Sequence, residues 1–152
     1  MSMDSRITDI LDSVITTRQF GKFLEEDLRH EEEVALLYNV DTEEFSQVII
    51  GEMMKSKIRF NKIDAYNGNN NALVFHTHPE FMGDNVLSKS DIVMAQEQAG
   101  ICALSKEMFE LEWDGKIHLA DGTEADFRIT GSGEGSGPSR KRYLDSVSLQ
   151  YD

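Results

Sequence analysis

Residues 72–79 read Ala-Leu-Val-Phe-His-Thr-His-Pro, and a polar spacer leads from them to Ser88-Lys-Ser-Asp91. Strand side chains alternate between faces, so His76 and His78, two positions apart on an apolar strand, point the same way. Ser88 with Asp91 three residues on is a helix start, with the serine as cap and the acid in the first turn. Strand, His-x-His-Pro, loop and capped helix form one connected unit, in which the start of the helix returns Asp91 to the end of the strand. Two imidazoles and one carboxylate are the ligand count of a catalytic zinc, with the fourth position left to water. A structural zinc would be closed, usually by several cysteines, and this chain has only Cys102. Taken apart, the two fragments also read as ordinary strand histidines and an ordinary helix cap.

Together these residues resemble the signature of the JAMM metalloproteases, the catalytic (MPN-plus) branch of the MPN/JAB domain family. That signature is an upstream Glu, His-x-His-Pro, a spacer and Ser-x-x-Asp, matched here by Glu32, His76-Thr77-His78-Pro79, Ser88 and Asp91. The spacer from Pro79 to Leu87 is nine residues where the family commonly has seven. Two more loop residues cost little closure entropy, so the geometry survives with a longer loop through Glu80, Phe81, Met82, Gly83 and Asp84. The upstream half resembles the small prokaryotic members. A strand is expected at Ser13–Thr17, an amphipathic helix with Phe20, Phe23, Leu24 and Leu28 on one stripe, then a Glu leading into a buried strand from Val34. Aligning Ala35-Leu36-Leu37 with the family's Ala/Gly-Leu-Leu selects Glu32 from the run Glu31–Glu33, with Glu33 the alternative.

The resemblance implies an α/β, MPN/JAB-like (cytidine-deaminase-like) fold, a twisted and mostly antiparallel sheet flanked by helices. The domain spans 1–130, its family core about 13–129, followed by a linker and tail at 131–152. Other elements are read from the residues themselves. Residues 4–12 suit a short helix with Ile7, Ile10 and Leu11 on one side; Phe45–Ile50 suits a strand; Lys57–Ile63 alternates as a half-exposed strand. Ser88 caps a helix to about Ala99, stopped by Gly100. Ile101–Leu104, Phe109–Trp113, Lys116–Leu119 and Ala125–Ile129 follow as strands, with turns at Asp114-Gly115 and Asp121-Gly122. Gly131–Pro138 has the composition of a flexible linker. Residues 140–152 beyond it either stay disordered or dock on their own domain or a neighbour.

The chain has 152 residues, 39% of them hydrophobic, enough for one domain with a core. Its net charge of −13 argues against nucleic-acid binding, which needs clustered Lys and Arg. No apolar run is long enough to span a membrane, no signal-peptide pattern is evident, and a single cysteine excludes an internal disulfide, so the cytoplasm is the expected compartment. His30, beside the glutamates, and His118, on an outer hairpin, lack metal-ligand spacing and are assigned to structure.

The resemblance further implies the chemistry. Zn2+ held by His76, His78 and Asp91 would acidify water, Glu32 would serve as general base and Ser88 would donate a hydrogen bond to the oxyanion. The implied substrate is an amide or isopeptide bond at the C-terminus of ubiquitin or a ubiquitin-like or sulfur-carrier protein, paired as an added strand. Two alternatives share the motif or the fold: a non-catalytic MPN scaffold, and a RadC-like or defence-associated hydrolase with another substrate. A nucleobase deaminase would need a Cys-x-x-Cys pair, which the chain lacks.

Overall fold

A computed structural model describes residues 4–51, 58–78, 87–106, 111–134 and 143–151. Asp4 caps helix α1 (Ser5–Ile15) by accepting a hydrogen bond from the Arg6 N–H at 2.9 Å. Ile7, Leu11, Val14 and Ile15 are buried along it. Their spacing carries the helical stripe through the β-branched Val14-Ile15 pair, so the strand expected at Ser13–Thr17 is instead the end of a helix. Thr17 then caps α2 (Arg18–Arg29), which buries Phe20, Phe23, Leu24 and Leu28 as the stripe requires.

The strands are β1 (Val34–Asn39), β2 (Ile49–Ile50), β3 (Ala72–Thr77), β4 (Gly100–Lys106), β5 (Glu112–Leu119), β6 (Glu124–Glu134) and β7 (Tyr143–Tyr151). They make one sheet in the order β2-β1-β3-β4-β5-β6-β7. Every neighbouring pair is antiparallel except β3 and β4, which run parallel. A parallel pair needs a crossover, supplied here by α4 (Lys89–Glu97). The protein is thus α/β with a mixed, mostly antiparallel seven-stranded sheet.

Strand parity divides the interior in two. Val34, Leu36, Leu73, Phe75, Cys102 and Leu104 face α1 and α2, where Phe20 meets Phe75 edge-on at 5.2 Å between ring centroids. Ala35, Leu37, Ala72, Val74 and Ile101 face the other way, with Phe60 and Ala95. β1 lies wholly or nearly buried and β3 wholly so, hence their continuous apolar sequence.

Several expected elements take another form. Phe45–Ile50 keeps only the two residues of β2 and an isolated bridge from Phe45 to Tyr38, because the Ser46 hydroxyl accepts the Leu37 N–H. Of Lys57–Ile63, the described part forms a 3₁₀ turn at Phe60–Lys62 followed by the short α3 (Asp64–Asn67), since the apolar spacing from Phe60 to Ile63 is three, not two. α4 ends at Glu97, and Gly100 is the first residue of β4. Asp114-Gly115 is no turn. β5 runs straight through it, and the Phe127 ring of the neighbouring strand lies where a Cβ on Gly115 would stand. The turn at Asp121-Gly122 is present, with Gly122 at φ 91°, a conformation that favours glycine.

The glycine-rich segment also differs from a free linker. Residues 131–134 continue β6 and pair with β7, with a register shift between Ser132 and Gly133. The tail therefore docks on its own sheet, where Leu144, Val147, Leu149 and Tyr151 pack against the α1/α2 core. Residues 135–142, most of the long spacer (79–86) and the start of the strand expected at Phe109 (107–110) lie outside the described residues. Among the described residues no helix is long and apolar enough to cross a membrane.

Candidate metal centre

The centre sits at the C-terminal end of β3, where the chain leaves the sheet for α4. His76 and His78 share the face of Ala72 and Val74, as alternation demands, and the ladder extends one step beyond β3 because the His78 N–H donates to the Leu104 carbonyl at 2.9 Å. Thr77 faces the opposite side as expected. Its buried Oγ1 accepts the Val34 N–H at 2.9 Å, which ties the end of β3 to the start of β1.

Asp91 is aimed by the helix cap. The Ser88 N–H donates to Asp91 Oδ2 at 2.9 Å and the Asp91 N–H donates to Ser88 Oγ at 3.2 Å, a complete capping box. That leaves Oδ1 turned to the histidines, 3.6 Å from His76 Nε2. Ligand atoms of His76, His78 and Asp91 all lie within 4.8 Å of one another, so the three could hold a metal ion. For comparison, donors about 2.0–2.2 Å from one tetrahedral ion stand roughly 3.3–3.6 Å apart.

The state of His76 is the feature of this cluster that most favours a bound partner. Its side chain is 5% exposed, and among the described residues neither ring nitrogen makes a hydrogen bond. Two buried, unsatisfied nitrogens cost about 1–3 kcal/mol each unless a partner arrives. An ion beside Nε2 removes one deficit. The other nitrogen, Nδ1, lies 3.1 Å from Glu33 Oε1, close enough for an ion pair but misaligned for a hydrogen bond. His78 is better supplied: its Nδ1 lies 3.2 Å from Ser105 Oγ.

The acid beside the histidines is Glu33, the alternative to the Glu32 that the resemblance selects. Glu33 shares the parity of Ala35 and Leu37 and so the face of His76. Glu32 takes the other face, with its carboxylate 3.7 Å from His30 Nδ1. The Ile58 N–H holds Glu33 Oε2 at 2.8 Å and fixes the carboxylate with Oε1 toward the centre. His30 also contacts Glu26 at 3.0 Å, and His118 pairs with Glu124 at 2.7 Å; neither belongs to the centre, as the sequence indicated.

A cleft of about 710 Å³ opens over the centre between the segment from Ile58 to Tyr66 and α4. Ser88 lines it. With Oγ accepting from Asp91, the serine's own O–H remains available to donate. At the far end the Tyr66 hydroxyl donates to Glu97 at 3.1 Å, and burial together with that carboxylate pushes the phenol upward, so it stays protonated. Ser105 and the Tyr66–Glu97 bridge were not legible as site residues. Ser105 has the parity of Ile101 and Ala103 on the strand beside His78, the one signal that could have found it. Compared with protein-family models, with curated proteins and with solved structures, the chain matches none.

Proposed function

We propose that this protein is a zinc-dependent hydrolase of the JAMM type, with an MPN-like fold, which cleaves an amide or isopeptide bond at the C-terminal tail of a ubiquitin-like protein. The observation that carries the reading is the buried, unsatisfied His76 imidazole, gathered with His78 and Asp91 beside the anchored carboxylate of Glu33. Three N/O ligands with an open side on a cleft suit catalytic zinc better than a structural site. When bound there, zinc supplies Lewis acidity toward a carbonyl and lowers the pKa of water toward roughly 7.

The chain's own groups supply the rest. Glu33 Oε1, fixed through Oε2, is placed to take a proton from water in the cleft and return it to the leaving nitrogen. The Ser88 hydroxyl, cap and cleft wall at once, donates to the developing oxyanion. An extended tail can pair beside β2, the short edge strand next to the β1 strand that follows Glu33, which makes a peptide tail a natural substrate.

The test is to prepare the protein without chelators, measure zinc by elemental analysis, and assay cleavage of ubiquitin-like fusions. One zinc per chain, lost in His76→Ala, with turnover lost in zinc-replete Glu33→Gln, supports the reading. Protein that takes up no metal refutes it. Full zinc without any hydrolysis of a broad fusion panel would favour the scaffold alternative.

A further inference from the structure

The acidic chain places two cations in the walls of the cleft. Among the described residues five cations form no ion pair, Arg18, Lys22, Arg59, Lys62 and Lys89, and of these Arg59 and Lys89, both exposed, line the cleft. Arg59 follows Ile58, whose N–H holds Glu33, and Lys89 follows Ser88, whose N–H holds Asp91. One cation thus flanks the centre on each wall.

Lys89 also breaks a local rule. It is the first residue of α4, where the helix dipole favours an acid and disfavours a cation. Arg18 holds the same position in α2, away from the cleft, so it is the location of Lys89 on the cleft wall that matters. The cleft's acids are accounted for differently: Glu33 and Asp91 face the centre, and Glu97 accepts from Tyr66. Among the described residues the lining holds Arg59 and Lys89 against Glu33, Asp91 and Glu97, a sum that a divalent ion at the centre would turn positive, and a low-dielectric cleft focuses such a field on an anionic ligand.

We propose that Arg59 and Lys89 form a carboxylate-binding subsite, so that the cleft selects substrates carrying a carboxylate within about one residue of the scissile amide. The inference rests on the metal-centre reading above and deepens it. The carboxylate comes either from an acidic side chain or from a free C-terminus, the latter making the enzyme cut near the end of a chain.

Three zinc-directed probes separate these sources: acetylglycine hydroxamate, which is neutral, succinic monohydroxamate, with a terminal carboxylate, and acetylaspartyl hydroxamate, with a side-chain carboxylate. In zinc-loaded protein at least one acidic probe should bind about three- to tenfold tighter than the neutral one by calorimetry. Arg59→Gln and Lys89→Gln should each remove about two- to fivefold of that advantage and leave zinc content and neutral-probe affinity unchanged. Lys89→Gln should also keep or raise the melting temperature, which distinguishes a ligand-binding lysine from a structural one. Equal affinity for all three probes, or an advantage that survives the double variant, overturns the subsite while the centre stands. A second measurement needs no metal: succinate, but not succinamide, should shift the NMR signals of the Arg59 and Lys89 side chains in the metal-free protein. Absence of that difference overturns the subsite independently of any zinc chemistry.

Discussion

Glu32 and Glu33 are neighbours in the chain and opposites in space, and one residue of register decides which lies beside His76. Replacing Glu33 by Gln should retain fold and zinc while turnover falls on the order of 100- to 10,000-fold, the usual cost of losing a positioned base. Glu32→Gln, removing a carboxylate that faces His30, should leave turnover unchanged; the paired assay with zinc analysis checks both. The choice was open in the sequence because three glutamates are adjacent and the motif alignment rested on Ala35-Leu36-Leu37. The information that puts Glu33 beside His76 was also present: β1 buries both faces, and position 33 shares parity with 35 and 37, the face paired with His76. His76, His78 and Asp91 were legible because their positions depend on local rules alone, alternation in a strand and the cap of a helix. Ser88 combines two such rules. Ser88→Ala should lower stability by about 1 kcal/mol through the lost cap and turnover by roughly 100- to 1,000-fold through the lost donor, read by urea midpoint and by kcat. A variant losing stability but not kcat would reduce Ser88 to a cap.

At the scale of elements, local signals failed where a distant side chain set the rule. Asp114-Gly115 has the composition of a hairpin turn, but its glycine answers to Phe127 across the ladder, a residue twelve positions on in the chain. Gly115→Val should force the Phe127 ring out of its place, at a cost of about 1–3 kcal/mol in denaturant unfolding, a packing cost, since Gly115 lacks the positive φ at which a turn glycine would resist a side chain. Lys57–Ile63 failed in a related way, since a short segment with Ile58, Phe60 and Ile63 satisfies a strand and a 3₁₀ turn equally until packing against the α4 side chooses. Thr77 shows the reverse, a polar residue in an apolar strand whose purpose appears only with its partner. Thr77→Val would leave the buried Val34 N–H without an acceptor and cost about 1–3 kcal/mol. Because Val34 adjoins Glu33, zinc-replete Thr77→Val should also lose turnover, measurable once the fold is confirmed by circular dichroism.

Across the whole molecule the sheet separates two tasks. The α1/α2 face holds the larger core and the packing of β7, and the α4 face holds the smaller core, the cleft and the centre. The tail belongs to the first task, a role its glycine-rich approach concealed because paired strand and free linker can share a composition. Leu144, Val147, Leu149 and Tyr151 are each partly buried there, and Tyr151 donates to Asp12 of α1 at 3.2 Å. At about 1 kcal/mol for each half-buried side chain they contribute roughly 4 kcal/mol, against a net stability of about 5–15 kcal/mol for a domain. Truncation after Thr130 should therefore yield protein that aggregates or melts far below the parent. Removing a zinc ion bound as proposed should do much less, because His76, His78 and Asp91 stand at the end of β3 and the start of α4 with a core on either side of the sheet. Chelation should leave the far-ultraviolet spectrum unchanged and lower stability only by the binding term, about 2.7 kcal/mol where free zinc had been a hundredfold above its Kd. A chain that unfolds on chelation would make the ion part of the fold, and would overturn the catalytic role proposed for a metal on His76, His78 and Asp91.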